Sequence, residues 1–382
     1  IVSHIPPKAR LSETIRCFPE LAKSAGMATV GIDNLVVQGM GRGGWFSRGF
    51  DFYSGYLYQP FIAQSEELVD RAIAFVDDLA DRRFLLFLHL WDPHTPYGPP
   101  APYNSLHYVP GSAPHSLADV KKIAPEYYEQ FLAEMRLQHP DDYADVVAQY
   151  DGEITRVDDQ VGRLIGHLRN AGRLDDTAVV LMSDHGECFG EGGIHFDHHG
   201  LVDANVRVAM MVRTPNSKPG RIPEMVSTED VLPTLARQCG WRLPEAEPIT
   251  GHDLTPALHG NPPEPREFIV CVESTRQASL ALRTAEWKLI LPIAADIHGN
   301  RMPDLHGHDR TPAPQLFHLP TDPSEANDVA GQHPDILAKF TEQLAHWRAS
   351  EVQRRGGHDP VLENGLSLGY DEFMARMFRR KK

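Results

Sequence analysis

Cysteine is scarce in this chain of 382 residues: Cys17, Cys188, Cys239 and Cys271 are its only four. They are scattered and show no paired spacing, which excludes a disulfide scaffold or a cysteine-built zinc site. Long apolar runs are lacking as well. The longest are strand-sized, so no segment reads as a membrane span. Basic residues are outnumbered, 37 Lys and Arg against 52 Asp and Glu, and the net charge of -15 argues against a nucleic-acid partner. A small anionic substrate stays open, because a bound metal reverses the field locally. Internal repeats are absent. The chain starts at Ile1 without an initiator methionine or a signal peptide, which leaves the compartment open. Its basic ending, Arg379 to Lys382, reads as a solvated tail.

What is present suits a globular protein of two domains. Ser12 to Gly26 reads as a helix, with Cys17 inside it, and Ala28 to Asp33 as a strand. Gly39 to Gly55 is Gly-rich and aromatic, carrying Trp45, Phe46, Phe50 and Phe52. It reads either as a loop over the edge of a site or as aromatics packed under a long loop. The pattern predicts helices over Ser65 to Arg82, Ala118 to Leu137 and Pro140 to Asn170. In the last of these, Val147, Tyr150, Ile154, Val157, Val161, Leu164 and Leu168 form the apolar stripe. Strands are predicted at Phe84 to Trp91, Thr177 to Met182 and Arg207 to Arg213, with a capped helix from Thr228 to Cys239. Buried strands alternating with helices give an α/β fold, a mostly parallel central sheet with helices on both faces. Near Asn261 to Pro265 the character changes, and three or four short strands followed by a helix predict a smaller α+β domain with an antiparallel sheet. The expected domains are 1–262 and 263–382.

Ligand-type side chains crowd just past the ends of the predicted strands, where open α/β sheets bind ligands. Asp184 and His185 follow the strand that ends at Met182. Asp184 can offer oxygens to a divalent cation or cap the next element, and Gly186 permits a sharp bend. His94 lies between Pro93 and Pro96 after another strand. It reads as an anion contact, a proton donor to a leaving group, or a surface histidine. His195, His198 and His199 gather around Asp197. A zinc site is one reading, an anion contact through one of them the other. Cys17, Phe18, Pro19, Glu20 and Leu21 imitate half of a Cys-x-Pro-x-Arg nucleophile motif, but Leu21 stands in place of arginine and Cys17 reads as a buried helix cysteine.

Several stretches in shared order resemble the sulfatase family of the alkaline phosphatase superfamily. They are Arg48 to Asp51, Trp91 to Tyr97, Tyr150 to Ile154, Ser183 to Glu187, Phe196 to Asp203, Glu229 to Leu235 and Leu316 to Glu325. The resemblance implies an alkaline phosphatase-like fold and hydrolysis of a small-molecule or carbohydrate sulfate ester by a metal-bound formylglycine. It implies one divalent cation, calcium first, with magnesium, manganese or zinc as alternatives. The ligands would be Asp184 and His185, two further aspartates and the nucleophile. His94 matches the family histidine near the sulfate and leaving group. His198, by its spacing to Asp203, matches a position often held by lysine, and it joins His94 as a catalytic residue. His199 and Asn34 are expected to contact substrate. The family's Gly-Lys-x-His is replaced by Gly31, Ile32, Asp33 and Asn34, so a cation expected near the substrate is lost. The aspartate pair and nucleophile are expected upstream of Ile1, and residues 1–382 alone are expected to be inactive. A phosphonate or phosphate ester hydrolase of the same superfamily and a non-catalytic binding protein are the alternatives.

Overall fold

Two apolar runs, Ala28–Asp33 and Phe84–His89, pair in parallel with Ala28 opposite Phe84 and Asp33 opposite His89. The computed structural model describes residues 12–34, 46–55, 65–123, 125–245, 249–275, 277–295, 313–359 and 362–363. Trp45 and the basic ending at 379–382 lie outside them. In chain order the elements are α1 (Phe18–Ser24), β1 (Ala28–Asp33), β2 (Phe52–Gly55), α2 (Ser65–Asp78), β3 (Phe84–His89), α3 (Leu117–Ile123), α4 (Pro125–Glu134), α5 (Tyr143–Asn170), β4 (Val179–Met182), β5 (Cys188–Phe189), β6 (His195–Asp197), α6 (Asp203–Val206), β7 (Met210–Arg213), α7 (Val231–Cys239), α8 (Thr255–Leu258), β8 (Ile269–Glu273), β9 (Ser279–Arg283), β10 (Trp287–Pro292), β11 (Gln315–His318) and α9 (Pro334–Arg354). None of the described helices is long and apolar enough to cross a membrane.

The chain forms two compact units: residues 2–180 with 212–264, and residues 181–211 with 265–382. In the first, β1 lies between β2 and β3 in a parallel sheet. Ala28, Val30 and Ile32 face Leu68, Ala72 and Leu79 of the α2 region. On the other side, Leu85 packs with Leu21 and Ala22 of α1 and Ala236 of α7. Helices therefore cover both faces, as the continuous apolar strands require. Pro19 in the first turn of α1 and Cys17 at its N-cap start that helix later than its periodicity implies. The segment 118–137 divides into α3 and α4 rather than one helix.

The long helix α5 departs further from its apolar stripe. Ile154 is 44% exposed, while Asp145, Gln149, Glu153, Arg156 and Gln160 are buried. Part of their hydrogen-bonding capacity is met within the unit. Gln149 donates to Asn104 O at 2.9 Å and to Asp145 Oδ1 at 2.8 Å. Arg156 Nε donates to Glu66 Oε1 at 3.0 Å, and its Nη1 lies 3.7 Å from Asp92. Gly152 sits under the 99–105 segment, where an added Cβ would lie 2.4 Å from Tyr103 O.

In the second unit, β11, β10, β9 and β8 lie side by side in an antiparallel sheet. One face packs on α9 through Leu280, Leu282, Leu289, Leu316, Phe340 and Leu344. The other face presents Ala281, Ile290 and Phe317 to Cys188, Ile194, Leu201 and Val202. That second core is why residues 181–211, expected with the N-terminal domain, cluster with the C-terminal residues. The expected break near residue 262 falls beside the division between Glu264 and Pro265.

Candidate active site

Within the second unit, the histidine-rich stretch is pinned at three places. Gly186 N–H donates to Asn205 O at 2.7 Å, and an added Cβ on Gly186 would lie 1.9 Å from Ala204 O. Close approach, rather than a left-handed backbone, is what requires glycine there. Buried Asn205 accepts from Cys188 Sγ at 3.1 Å and donates to Gly200 O at 3.3 Å. Asp203, at the start of α6, accepts from Arg283 Nε and Nη2 and from Lys288 Nζ at 2.8 Å. Burial works to raise the carboxyl of Asp203, yet Lys288 and Arg283 hold it below the usual carboxylate range.

On this frame the predicted residues fall into two groups. His185 and His198 stack with ring centroids 3.9 Å apart and planes 16° apart. His185 Nδ1 meets Gly186 O at 2.8 Å, which makes Nδ1 the N–H and leaves Nε2 as the ligand nitrogen. That Nε2 lies 3.7 Å from Asp184 Oδ1. A carboxylate oxygen and an imidazole nitrogen so placed form a mixed donor pair that fits a divalent cation. His198 Nδ1 lies 3.8 Å from the carboxylate of Glu187.

The second group centres on buried Asp197. Its Oδ1 accepts from His198 N–H at 2.7 Å, His199 N–H at 3.1 Å and His199 Nδ1 at 2.5 Å. Asp197 thus shapes the turn and fixes the His199 ring with Nε2 outward. Donor atoms of Asp197, His198 and His199 lie within 4.8 Å of one another. His195 is buried against Phe196 and has no place in either group.

Within the first unit, His94 follows β3 and stacks on Trp91, ring centroids 4.1 Å apart. Its Nδ1 meets Thr95 O at 2.7 Å, so Nε2 is the outward nitrogen. Asn34 directly follows β1 and is half-buried. The Cys17 thiol is pushed up by burial, although Arg48 Nη2 is 3.1 Å away. It is a half-buried N-cap residue rather than a helix-interior one, and it has no features of an activated nucleophile.

Sequence reasoning missed three features. Asp33 is wholly buried and joins His89 Nδ1 at 2.7 Å. The clue was available: each is the first ionisable side chain at the end of an apolar strand. Ser217, Lys218, Pro219, Gly220 and Arg221 fit the spacing Ser-x-Pro-x-Arg. Ser217 Oγ accepts from Thr214 N–H at 3.2 Å in the turn after β7, and among the described residues no histidine or carboxylate bonds to it. The buried carboxyls Asp92 and Glu153 flank Arg156. Burial and the neighbouring Asp92 push Glu153 up to about 8, and burial raises Asp92 as well.

A family model described as Sulfatase matches residues 2–241. The chain belongs to the sulfatase family. Members of this family generally use a divalent metal. The chain is 30% identical to the choline-sulfatase of Rhizobium meliloti (strain 1021) over 240 residues, 58% of this chain and 43% of that one. It spans about half the length of the curated relatives it matches. Among solved structures, the phosphonate monoester hydrolase SpPMH from Silicibacter pomeroyi is similar with a TM-score of 0.69 at 20% identity, covering 91% of this chain and 83% of that one. BT4656 in complex with D-glucosamine-2-N,6-O-disulfate gives a TM-score of 0.64 at 19% identity, covering 92% and 84%. These similarities bear out the alkaline phosphatase-like α/β fold read from the sequence.

Proposed function

We propose that the whole protein hydrolyses sulfate esters of a small molecule or carbohydrate, with Asp184 and His185 as two ligands of a divalent cation and His94 and His198 at the sulfate. The reading rests on family membership, and the observation that carries it is the stacking of His185 on His198 at 3.9 Å. That contact joins the expected metal ligand to the expected anion contact in one rigid group. Calcium is the proposed ion, and the imidazole nitrogen of His185 widens the choice to manganese or zinc. Bound there, the cation would supply positive charge to the ester oxygens as charge develops. In its imidazolium form, with Nδ1–H held by Thr95 O, His94 would face the leaving oxygen with Nε2–H and pass it that proton, which leaves the neutral ring with its lone pair on Nε2. His199 and Asn34 would contact the rest of the substrate by hydrogen bonds.

The test is a substrate panel with the whole protein: 4-nitrophenyl sulfate, glucosamine 6-sulfate and a phosphonate monoester. Sulfate esters turned over, with activity lost in Asp184→Asn and on chelation, is the expected result. Preferential turnover of the phosphonate would move the protein to the other branch of the superfamily. Tight binding without turnover of any ester would make it a binding protein.

A further inference from the structure

The segment that carries His94, past the end of β3, is fastened to α5 on both sides of the histidine. Tyr150, Glu153 and Arg156 recur at every third position of α5 and so share a face of that helix. The buried ring of Tyr97 meets that of Tyr150 edge-on, with centroids 5.4 Å apart. Gly98 N–H donates to Glu153 Oε1 at 3.2 Å. Arg156 Nη1 lies 3.7 Å from Asp92 Oδ2 and 3.6 Å from Glu153 Oε2. Asp92 precedes His94 by two residues and Gly98 follows it by four (94 − 92 and 98 − 94). Between these anchors His94 N–H donates to Trp91 O at 2.9 Å, and Nδ1 meets Thr95 O at 2.7 Å, which sets the ring against Trp91.

The side chains of Asp92, Glu153 and Arg156 are only 2%, 6% and 6% exposed. Stability alone does not call for charge in such a place, because apolar residues of similar volume commonly serve as well as a buried ion pair. Polar partners add a single permitted arrangement: a shift of the segment leaves a buried charge unanswered. Burial and the neighbouring Asp92 raise the Glu153 carboxyl, so it joins the cluster as a neutral group. The charge of Arg156 is left to Asp92 and to the more exposed Glu66, whose Oε1 accepts from Arg156 Nε at 3.0 Å. We propose that Glu153 and Arg156 are positioning residues for His94, locking the 92–98 segment to α5 so that His94 presents Nε2–H at one place for protonation of the leaving oxygen. Buried as they are, they act through His94 and not on the substrate. This rests on the sulfatase reading, in which His94 is the proton donor, and adds the residues that aim it.

The experiment compares kcat of the whole protein for 4-nitrophenyl sulfate and phenyl sulfate. Nitrophenolate departs with little help from a proton and phenolate needs more, so a misplaced acid slows the phenyl ester selectively. A merely structural loss lowers both rates by one factor and leaves their ratio alone. The variants are Glu153→Leu and the double change Asp92→Asn with Arg156→Met, which removes the buried charges together, each checked by its thermal transition. Glu153→Gln, which keeps an acceptor for Gly98 N–H, is the conservative replacement, and His94→Asn is the reference. The ratio of phenyl to 4-nitrophenyl turnover is expected to fall about ten-fold or more in His94→Asn and about three-fold or more in Glu153→Leu and the double variant, with Glu153→Gln within about two-fold of the parent. A ratio that falls in His94→Asn alone overturns the positioning role and leaves the sulfatase reading intact. A ratio that His94→Asn also leaves unchanged removes His94 as the proton donor and overturns the proposal with it. No turnover of either ester by the unaltered protein overturns both the proposal and the sulfatase reading.

Discussion

Lys288 Nζ, wholly buried in β10, lies 2.8 Å from Asp203 Oδ1 and 2.9 Å from Glu325 Oε1. Asp203 is the fifth residue after His198, so this one cation ties the histidine-bearing turn to the antiparallel sheet. Glu325 closes the arrangement by accepting from Asp203 N–H. Arg283 adds a second cation to Asp203 at 3.0 Å. A sheet that sequence alone presents as a separate C-terminal module is therefore the support on which residues 181–211 rest.

Lys288→Met is expected to destabilise the protein by about 3–5 kcal/mol, because two carboxylates lose the cation that accompanied them into the interior. The midpoint of urea denaturation is the measurement. A loss under about 1 kcal/mol would mean that Arg283 suffices for Asp203 and that Glu325 takes up a proton at little cost.

Glu153 predicts a pH effect with a definite sign. Burial, then the charge of Asp92, pushes its carboxyl up to about 8, so the folded state holds a proton that the unfolded chain releases near pH 4.3, roughly the ordinary glutamate value. The stability it contributes is fully present below that ordinary value and is lost as pH rises through about 8. Glu153→Gln imitates the protonated form and keeps an acceptor for Gly98 N–H, now 3.2 Å from Oε1. The variant should match the parent at low pH and exceed it by about 1–3 kcal/mol at alkaline pH, read as a flatter plot of melting temperature against pH. Parallel curves would show that Glu153 is ionised throughout, with Arg156 as its counter-charge.

Strands β1 and β3 and the C-terminal meander were legible because their apolar periods are unmixed, whereas β2 lies in the stretch Gly39 to Gly55 that reads as a loop. Ala28–Asp33 keeps the bounds that its sequence predicts. The buried face of α5 was not legible. Glu153 and Arg156 lie off the predicted apolar stripe, and nothing local marks them as buried, because Glu66 and Asp92, the partners of Arg156, lie 90 and 64 residues away in sequence (156 − 66 and 156 − 92). The histidine cluster was half legible. The resemblance to the sulfatase family singled out Asp184, His185, His198 and His199, but it could not tell that His199 is tied to Asp197 while His198 stacks on His185. Asp33 and His89 escaped because a pairing between two strands has no local signature.

His198→Lys tests the anion contact. An imidazole holds positive charge only while protonated, whereas a lysine ammonium keeps it several pH units higher. The lysine variant should bind a sulfate ester about ten-fold or more tightly than the parent at roughly pH 8.5, with the two converging toward pH 6. KM for 4-nitrophenyl sulfate across pH is the readout. Superimposed profiles would remove His198 from the anion site and leave it as the ring against which His185 is stacked.

Gly31 is the last test, and it concerns the support of the Asp33 carboxylate. In β1 it is the register partner of Tyr53, whose ring lies over it and whose hydroxyl reaches Asp33 two residues on. An added Cβ would stand 2.5 Å from Tyr53 Cδ2 and 3.2 Å from the Phe50 ring. Gly31→Ala should therefore cost about 1–3 kcal/mol by overpacking, against the usual gain from replacing glycine within a strand. A double-mutant cycle isolates the cause: in a Tyr53→Ala background the ring is gone, and the same substitution should cost less by about 1 kcal/mol or more. Equal costs in the two backgrounds would place the clash on Phe50 or the backbone instead, and Tyr53 would then owe its position to Asp33 rather than to the space that Gly31 leaves open.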